Sequence, residues 1–408
     1  MFSPSTFFLL LLFCLSWRLS AQNGCTDTAA VNFDPDAVYN DGSCQYAQME
    51  AKPLLKASLS HVRETSGLAY TDGKLWTFGD SGNPPDIFSV DTTTGNILQT
   101  VNISNYPNTD WEDIAADSDY LYIADLGNNE GNRTDLKILK VAKHDIGDGA
   151  VVGATAQAIS ISYADQTSFV VDDNTNFDCE AIISKGDSLY LFTKDHGDFR
   201  TRVYTVSKTP GTYRLSPYTS FNVNGKITGA DFNPATGEVA LIGYMNSKFN
   251  SFLWLLNDFS GSMFFSGNKR RVEIGNSTTS WQTEGITYTS AIRFFISCET
   301  TDAVAASLYT LDKKDISSSL STGVQDMVTE GNIRCFPNPA SGQVTITGME
   351  DLTRIEAFTT SGEKLFDTLV HGNSYVLPLS MLHYGGGLLL LRITTRSGVY
   401  FRRILVVP

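Results

Sequence analysis

Short runs of alternating apolar and polar residues recur along the middle of the chain. The clearest unit is residues 108–129 (NTDWEDIAADSDYLYIADLGNN), where an acidic start leads into an apolar strand, a polar turn and a second strand. A loop rich in Asp, Asn and Gly follows. Apolar runs bounded by such turns are typical of short antiparallel strands. The unit is therefore predicted to be a strand pair at the start of a small sheet.

Four other segments align with this unit. They are residues 64–83, 177–198, 227–246 and 283–302. Each copy is followed by a third strand-like segment, and these are DIFSVD, LKILKV, RVYTVS, SFLWLL and SLYTLD. A period of about fifty residues with three or four strands per copy is the pattern that the blades of a β-propeller require. Residues 53–315 of this all-β chain are therefore predicted to form a β-propeller.

The repeats also predict how the propeller closes. Residues 54–59 form a strand-like segment before the first copy, and pairing them with the last copy would cover an exposed edge. Five copies predict five blades. The second copy carries an extra segment, residues 158–171, which could form a partial blade, so the prediction is five or six. The alternative is an open all-β sandwich with chance similarity between its segments.

Composition and processing signals indicate an exported protein. The chain has 408 residues and a net charge of −14, which argues against binding to nucleic acid or anionic membranes and suits cation binding. An apolar run at 7–15 followed by Leu19-Ser20-Ala21 predicts a secretory signal, residues 1–21, that is cut after Ala21. No later stretch is long enough to span a bilayer. We expect a monomer.

A small Asp-rich module, residues 22–50, precedes the propeller. Cys25 and Cys44 bracket a polar segment and are predicted to pair, because an exported chain meets an oxidising compartment. The string GCTDTAAVNFDPDAVYNDGSCQY resembles a short Cys-bracketed module of secreted bacterial proteins. Its aspartates look like an oxygen-rich calcium loop; these are Asp27, Asp34, Asp36 and Asp41. The alternative is a solvated spacer closed by the disulfide.

The C-terminal part has a different pattern. Residues 316–333 are rich in Ser, Thr and Gly without an apolar period, which predicts a linker. Residues 334–408 then predict a compact β-sandwich of short strands. Its notable motifs are Pro337-Asn338-Pro339, Ser361-Gly362-Glu363-Lys364 and a terminal Gly398 followed by Arg402-Arg403-Ile404-Leu405-Val406. In these motifs the unit resembles the type A sorting domain of the type IX secretion system, although Gly386-Gly387-Leu388-Leu389 lacks the Tyr usual in that family.

This resemblance implies a destination. Such proteins are exported to the periplasm, moved across the outer membrane by the type IX secretion machinery, and released or attached to the cell surface. The sorting domain is usually removed. The repeat region also resembles that of secreted propellers that carry this domain. The resemblance names no reaction.

The repeats place polar residues at two equivalent inner-strand positions. One position is occupied by Ser66, Glu112, Glu180, Thr228 and Glu284. The position two residues earlier is occupied by Glu64, Asp110, Asp178, Lys226 and Gln282. Strand residues two apart share a face, so two polar tiers are predicted near one mouth of the channel. The loops after the second strands should lie on that face and add Asp80, Asn83, Asp125, Asn128, Asn129, Arg133, Lys194, Asp195, His196, Asn246 and Glu299.

Three interpretations of this cluster compete. Crowded carboxylates repel one another unless a cation neutralises them, so a Ca²⁺ site is the first. Its predicted ligands are Asp110, Glu112, Asp178, Glu180 and Glu284, with Asp80, Asp125, Asn128, Arg133, Lys194 and His196 predicted to bind an extracellular ligand. The second is a calcium-dependent extracellular hydrolase of phosphoesters or glycans, with Asp and Glu as acid and base. In the third, the glutamates only cap backbone amides between blades. The favoured prediction is a secreted or cell-surface propeller that binds a ligand or partner, with a divalent cation at the acidic mouth.

Overall fold

We describe a computed structural model of the chain, which covers residues 22–245, 250–275, 281–318, 333–349, 353–359, 363–395 and 399–407. The predicted signal, most of the predicted linker and Asn246 lie outside these residues. The chain divides into two compact units, Met1–Ser319 and Leu320–Pro408. The described residues are mainly strands and loops, with short 3₁₀ helices at Lys143–Asp145, Lys313–Asp315 and Leu379–Leu382.

Five sheets, which we call blades 1 to 5, make up most of the first unit. Blade 1 contains Ala69–Thr71, Lys74–Phe78, Asp86–Val90 and Ile97–Ile103. Blade 2 contains Trp111–Ala116, Tyr120–Asp125, Lys137–Ala142 and Ala156–Tyr163. Blade 3 contains Cys179–Lys185, Ser188–Thr193, Arg200–Ser207 and Thr219–Asn222. Blade 4 contains Lys226–Asn233, Glu238–Tyr244, Ser251–Asn257 and Asn268–Glu273. Blade 5 contains Thr283–Ser290, Arg293–Cys298, Ser307–Asp312 and Leu54–Ser58. The first strand of each set is its inner strand.

The five inner strands contact one another in ring order, and the inner strand of blade 5 contacts that of blade 1. The N-terminal strand Leu54–Ser58 pairs antiparallel with Ser307–Asp312 and so joins the start of the propeller to its last blade. The predicted propeller is confirmed, with five blades among the described residues. The extra segment of the second copy is not a further blade, because Ala156–Tyr163 is the fourth strand of blade 2.

Additional strands cover the outer edges of three blades. Val151–Ala154 pairs in parallel with the outer strand of blade 1, and Gly211–Leu215 does the same on blade 2. Met49–Glu50 pairs in parallel with the outer strand of blade 4 and is itself paired with Ser317–Ser318. Covering an edge in this way satisfies backbone groups that would otherwise template aggregation. These edge strands were not predicted from the sequence.

The hydrophobic core lies between neighbouring blades. Side chains alternate between the two faces of each sheet, so both faces of a blade bury apolar residues against the next. Between blades 1 and 2, for example, the rings of Phe78 and Trp111 meet edge to face with centroids 5.7 Å apart. Between blades 2 and 3, Ile159 and Leu191 belong to one buried cluster.

A β-bulge interrupts the inner strands of blades 2 to 5. In each bulge one residue has no cross-strand partner, and these residues are Glu112, Glu180, Thr228 and Glu284. In blade 1, Ser66 lies just before the regular strand and donates its N–H to the carbonyl of Phe78 at 3.2 Å. A bulge re-aims the extra residue out of the regular alternation. The position that the repeats aligned is therefore the bulge position.

The channel is too narrow for most side chains at the residue after the bulge. Three blades have glycine there, at Gly67, Gly229 and Gly285, and blade 3 has Ala181. A Cβ on Gly67 would lie 2.5 Å from the Cα of Asp113, and one on Gly229 would lie 2.4 Å from a carbonyl oxygen of blade 5. Small residues at this level let the five inner strands approach closely.

Asp113 of blade 2 is the exception at this level, and its carboxylate fills the channel. It is fully buried, and it accepts hydrogen bonds from the backbone N–H of Ile182 in blade 3 at 2.9 Å and of Ala230 in blade 4 at 3.3 Å. The other oxygen accepts the N–H of Ile114 at 2.8 Å. Burial raises the pKa of Asp113 well above its ordinary value, although these bonds oppose the shift. Asp113 thus links three blades.

The N-terminal module lies against blade 4. Gln22–Gly24 pairs with Ala37–Asn40, and the predicted disulfide between Cys25 and Cys44 is confirmed. Asp27 pairs with Arg270 of blade 4 at 3.0 Å, and Asn40 donates to Asp258 at 2.7 Å.

Two other aspartates of the module accept local backbone N–H groups. Asp34 accepts from Asp36 and Asp41 accepts from Ser43, each at 2.9 Å. These bonds are typical of turns. The calcium loop predicted for this module stays a prediction.

The second unit is a β-sandwich. One sheet contains Arg334–Phe336, Gln343–Thr347 and Ser374–Pro378, and the other contains Lys364–Val370, Thr353–Phe358, Gly387–Thr394 and Val399–Val406. Val344, Ile355 and Leu391 are among the residues buried between them. The predicted sandwich is confirmed. Ser361, Gly362 and Gly398 of the sequence motif lie outside the described residues.

The role of Asp113 can be tested by substitution. Asp113→Ala leaves three buried N–H groups without an acceptor, and each costs about 1 kcal/mol or more. We expect the free energy of unfolding, measured by denaturant titration, to fall by about 3 kcal/mol. The exposed Asp148→Ala is the control and should change little. Equal stability of the two variants would show that Asp113 does not hold the blades together.

Candidate functional site

One backbone hydrogen bond recurs at the same end of four blades and gathers the polar residues there. The N–H of the first or second residue after the second strand donates to the carbonyl of the earlier polar tier. The pairs are Asp80 to Glu64 (3.0 Å), Gly127 to Asp110 (3.1 Å), Lys194 to Asp178 (2.8 Å) and Glu299 to Gln282 (3.1 Å). We call this end of the channel the acidic mouth. Its charged and imidazole residues are Glu64, Asp80, Asp110, Glu112, Asp178, Glu180, Glu284, Glu299, Lys194, His196 and Lys226.

Five carboxylates of the mouth form two overlapping groups. Oxygens of Asp80, Asp110 and Glu112 lie within 4.8 Å of one another, and so do oxygens of Glu112, Asp178 and Glu180. Glu112 belongs to both groups. Oxygens within 4.8 Å of one another are close enough for one ion to contact all three carboxylates of a group.

Glu112 and Glu284 are buried carboxylates that lack partners. Their residues are only 6% and 7% exposed, and neither carboxylate has a hydrogen-bond or ion-pair partner among the described residues. Burial, reinforced by neighbouring carboxylates, raises the pKa of both well above the ordinary value of a glutamate, although the charge of Lys194 opposes the shift of Glu284. An unpaired buried carboxylate is costly and must take up a proton or a cation.

Asp178 is better compensated. One of its oxygens accepts the N–H of Asn128 at 2.7 Å, and the other lies 3.0 Å from Nε2 of His196. Burial opposes ionisation of Asp178, but the bond to His196 and the charge of Lys194 bring its pKa below the ordinary value. Asp178 therefore stays charged.

Glu180 has a cationic partner. Lys194 donates to Glu180, and both side chains are buried. Burial alone would lower the pKa of Lys194, but Glu180 and the other carboxylates of the mouth raise it well above its ordinary value. Lys194 is therefore charged, and its charge is matched by Glu180.

His196 connects Asp178 to Lys226. Nζ of Lys226 lies 3.0 Å from Nδ1 of His196. Because an ammonium donates and a carboxylate accepts, the hydrogen-bond network assigns the His196 proton to Nε2. Lys226 is half-buried, and burial together with the charge of Lys194 lowers its pKa. Among the described residues it has no carboxylate partner within ion-pair distance.

Three of the residues predicted to bind ligand form a layer behind the mouth. Asp125 is fully buried, pairs with Arg133 at 2.8 Å and accepts the N–H of Asp110 at 3.2 Å. Asn128 accepts the N–H of Arg133 at 2.9 Å and donates its side chain to Phe177 at 3.0 Å. This layer positions Asp110 and Asp178. The ligand-binding role of Asp125, Asn128 and Arg133 stays a prediction.

Gly127 leaves room for the carboxylates. It stands where other blades carry the side chains of Asp80, Lys194 and Glu299. A Cβ at Gly127 would lie 2.2 Å from Oε1 of Glu112 and 2.3 Å from Oδ2 of Asp110. A side chain here is therefore incompatible with the positions of these two carboxylates.

The structure brings most of the predicted residues together. Both polar tiers and the loop residues Asp80, Lys194, His196 and Glu299 reach the mouth. Sequence reasoning missed Asp113, which fixes the strands below the mouth. The signal was present in the aligned repeats, because an Asp stands in one copy where the others have Gly or Ala.

The fold and this mouth define a β-propeller with a carboxylate-rich channel end, followed by a β-sandwich. Residues 334–407 match the family described as the secretion system C-terminal sorting domain. The C-terminal unit is thus the type IX secretion sorting domain that its motifs indicated. The protein is exported by that machinery to the cell surface or the medium. No helix among the described residues is both long and apolar enough to cross a membrane.

Other similarities are distant. No curated protein matches the chain. PorZ, a surface component of the type IX secretion system of Porphyromonas gingivalis, is 11% identical with a TM-score of 0.32, over 84% of this chain and 45% of PorZ. The chain thus spans less than half of PorZ.

Two enzyme structures have similarly low scores. An exo-β-1,3-galactanase from Phanerochaete chrysosporium is 11% identical with a TM-score of 0.40, over 90% of this chain and 92% of the enzyme. A GH43_1 enzyme from Xanthomonas citri is 13% identical with a TM-score of 0.35, over 64% and 90%. Similarities at this level say nothing about the activity of this chain.

The mouth predicts a pH dependence of stability in metal-free buffer. Burial, with the charge of Asp80, raises the pKa of Glu299 to about 7 from an ordinary value of 4.5. Between these pH values the folded state binds more protons than the unfolded state, so the free energy of unfolding falls as pH rises. Glu299→Gln should therefore stabilise the protein above pH 7, by on the order of 2 kcal/mol, and have little effect near pH 4.

Denaturant titrations at about pH 4 and pH 8 measure this difference. Glu130→Gln, at an exposed position, is the matched control and should follow the wild type at both pH values. A Glu299→Gln variant that is no more stable than the wild type at pH 8 would contradict the prediction.

Proposed function

We propose that this protein is a secreted or cell-surface binding propeller that holds Ca²⁺ at its acidic mouth and uses it to bind a ligand or partner. The observation that carries the proposal is the environment of the Glu112 carboxylate. This carboxylate is more than nine-tenths buried, lacks a partner among the described residues, and lies within 4.8 Å of oxygens from four other carboxylates. A cation bound there would neutralise the charge that the fold leaves unmatched.

The charge balance of the mouth supports a cation. Eight carboxylates face two lysines and one histidine. Lys194 is already matched by Glu180. Six carboxylates have no cationic ion-pair partner among the described residues, and these are Glu64, Asp80, Asp110, Glu112, Glu284 and Glu299.

The donor set favours calcium among the common cations. Each group of three consists only of carboxylates, which suits hard cations such as Ca²⁺ and Mg²⁺ rather than Zn²⁺, which prefers nitrogen and sulfur. Ca²⁺ accepts about six to eight oxygens in irregular geometry, whereas Mg²⁺ demands a near-octahedral site. Carboxylates contributed by separate loops and bulges fit the first requirement better.

Within the mouth, Asp80, Asp110 and Glu112 are the best placed ligands. Asp178 and Glu180, which the sequence also predicted as ligands, would have to weaken their bonds to His196 and Lys194. We therefore assign Asp178 and Glu180 to the surrounding negative field, together with Glu284.

Three carboxylates do not complete the coordination of Ca²⁺. The remaining positions would be taken by water or by oxygens of the ligand. This is the physical basis on which we propose binding through the cation. The loops that carry the ligands rest on a closed ring of blades, so the site is held rigidly.

Calcium binding can be tested through stability. A ligand that binds only the folded state raises the free energy of unfolding by about 2.7 kcal/mol at a free concentration of 100 Kd. We expect Ca²⁺ to raise the melting midpoint of the purified full-length protein relative to chelator, and Glu112→Gln to abolish that rise. Glu130→Gln should retain it. An equal rise in the Glu112→Gln variant would place the ion elsewhere, and no rise in the wild type would exclude the site.

Gly127→Ala tests the geometry of the site without removing a charge. The new methyl group would displace Asp110 and Glu112, so Ca²⁺ affinity measured by isothermal titration calorimetry should fall by at least about tenfold, or 1.4 kcal/mol. Gly153→Ala is the matched control, because its Cβ would meet nothing closer than 4.0 Å. Unchanged affinity in Gly127→Ala would show that the ion does not bind between these carboxylates.

A further inference from the structure

The acidic mouth has two halves that differ in charge: one carries only carboxylates, and in the other Asp178 and Glu180 are accompanied by cationic and imidazole groups. Blades 1, 2 and 5 contribute only carboxylates to it, whereas its cationic and imidazole groups come from the adjacent blades 3 and 4. These groups are Lys194, His196 and Lys226. The proposed calcium ligands lie in the first half, so the second half is left for another part of the ligand.

Lys226 differs from the other cations near the mouth. Lys194 pairs with Glu180, Arg133 pairs with Asp125, and Arg202 pairs with Asp195. The ammonium of Lys226, by contrast, forms a hydrogen bond to Nδ1 of His196 and no ion pair among the described residues. An ammonium has three N–H donors, so two remain for a ligand.

The contact with His196 positions Lys226 but does not neutralise it. His196 is fixed from the other side by Asp178 and presents a neutral nitrogen to Lys226. Burial disfavours the charged form of Lys226 and the charge of Lys194 adds to this effect, whereas the charges of Glu180 and Asp178 oppose it, so that the pKa of Lys226 is lowered. An anion beside Lys226 would remove both penalties, as a cation would for Glu112 in the other half.

We propose that the ligand carries an anionic oxygen group, a carboxylate or a phosphate, and that Lys226 binds this group while Ca²⁺ binds neighbouring oxygens of the same ligand. This inference rests on the proposed function, because it takes the cation at Asp80, Asp110 and Glu112 as the second anchor. Lysine suits the role, since a compact ammonium on a flexible stem can contact either kind of anion. A neutral ligand would bury Lys226 further without matching its charge.

Three sugars of one ring size test this directly. Glucose, glucuronate and glucose 1-phosphate differ in carrying no charge, a carboxylate or a phosphate. We expect calorimetric titration into the full-length protein with saturating Ca²⁺ to show at least one anionic sugar binding about tenfold or more tightly than glucose. The preferred anion distinguishes a carboxylate from a phosphate. Equal affinity for the three sugars would overturn the proposal, and so would the absence of binding at a sugar concentration of about 10 mM.

Substitution identifies the residue. Lys226→Met removes the charge at similar length and should abolish the preference for the anionic sugar, while Ca²⁺ affinity changes by less than about threefold. Lys74→Met, on the exposed turn side of blade 1, is the matched control and should retain the preference. If Lys226→Met does not fold, as judged by circular dichroism, Lys226→Gln replaces it with the same expectation. A preference that survives loss of the charge would contradict the proposal.

The two proposals fail in different ways. If the cation site does not exist, titrating Ca²⁺ into the wild-type protein would give no heat of binding, whether or not the sugars bind. Failure of the anion site alone would leave Ca²⁺ binding and its dependence on Glu112 intact, with no difference between charged and neutral sugars.

Discussion

The five inner strands of the propeller approach one another so closely that most side chains cannot enter the channel just below its mouth. Glycine or alanine satisfies this constraint in four blades, and in blade 2 the Asp113 carboxylate occupies the remaining space and accepts N–H groups from its own blade and two others. The bulge one residue earlier follows from the same crowding, because a side chain that cannot point into the channel is turned towards its end. Crowding in the core thus places Glu112, Glu180 and Glu284 at the mouth.

Once the glutamates are gathered there, their charges must be compensated. Blade 3 supplies internal compensation, since Lys194 matches Glu180 and His196 binds Asp178. Blades 1, 2 and 5 supply none for Glu112 and Glu284 among the described residues. Lys226, by contrast, is a cation without a carboxylate partner within ion-pair distance among the described residues. A fold that leaves buried carboxylates and a half-buried lysine without ion-pair partners at one end is well explained by a ligand that supplies a cation and an anion.

The repeats predicted the architecture because each blade reproduces the same strand lengths and turns. They also predicted both polar tiers, since equivalent positions in a closed ring meet at one end. They did not predict the edge strands Val151–Ala154 and Gly211–Leu215, whose pairing joins segments that are distant in sequence and carry no repeat signal. Nor could the sequence show that Asp125 and Arg133 pair with each other behind the mouth, because a charged loop residue can turn either way.

The location of a bound cation tests the account most directly. Crystals of the protein grown with Mn²⁺ or Tb³⁺ in place of Ca²⁺ would reveal the ion by anomalous scattering. We predict a peak between the carboxylates of Asp80, Asp110 and Glu112, about 2.3 to 2.6 Å from their oxygens as expected for a calcium-type site. A mouth without a peak, or a peak only in the N-terminal module, would contradict it.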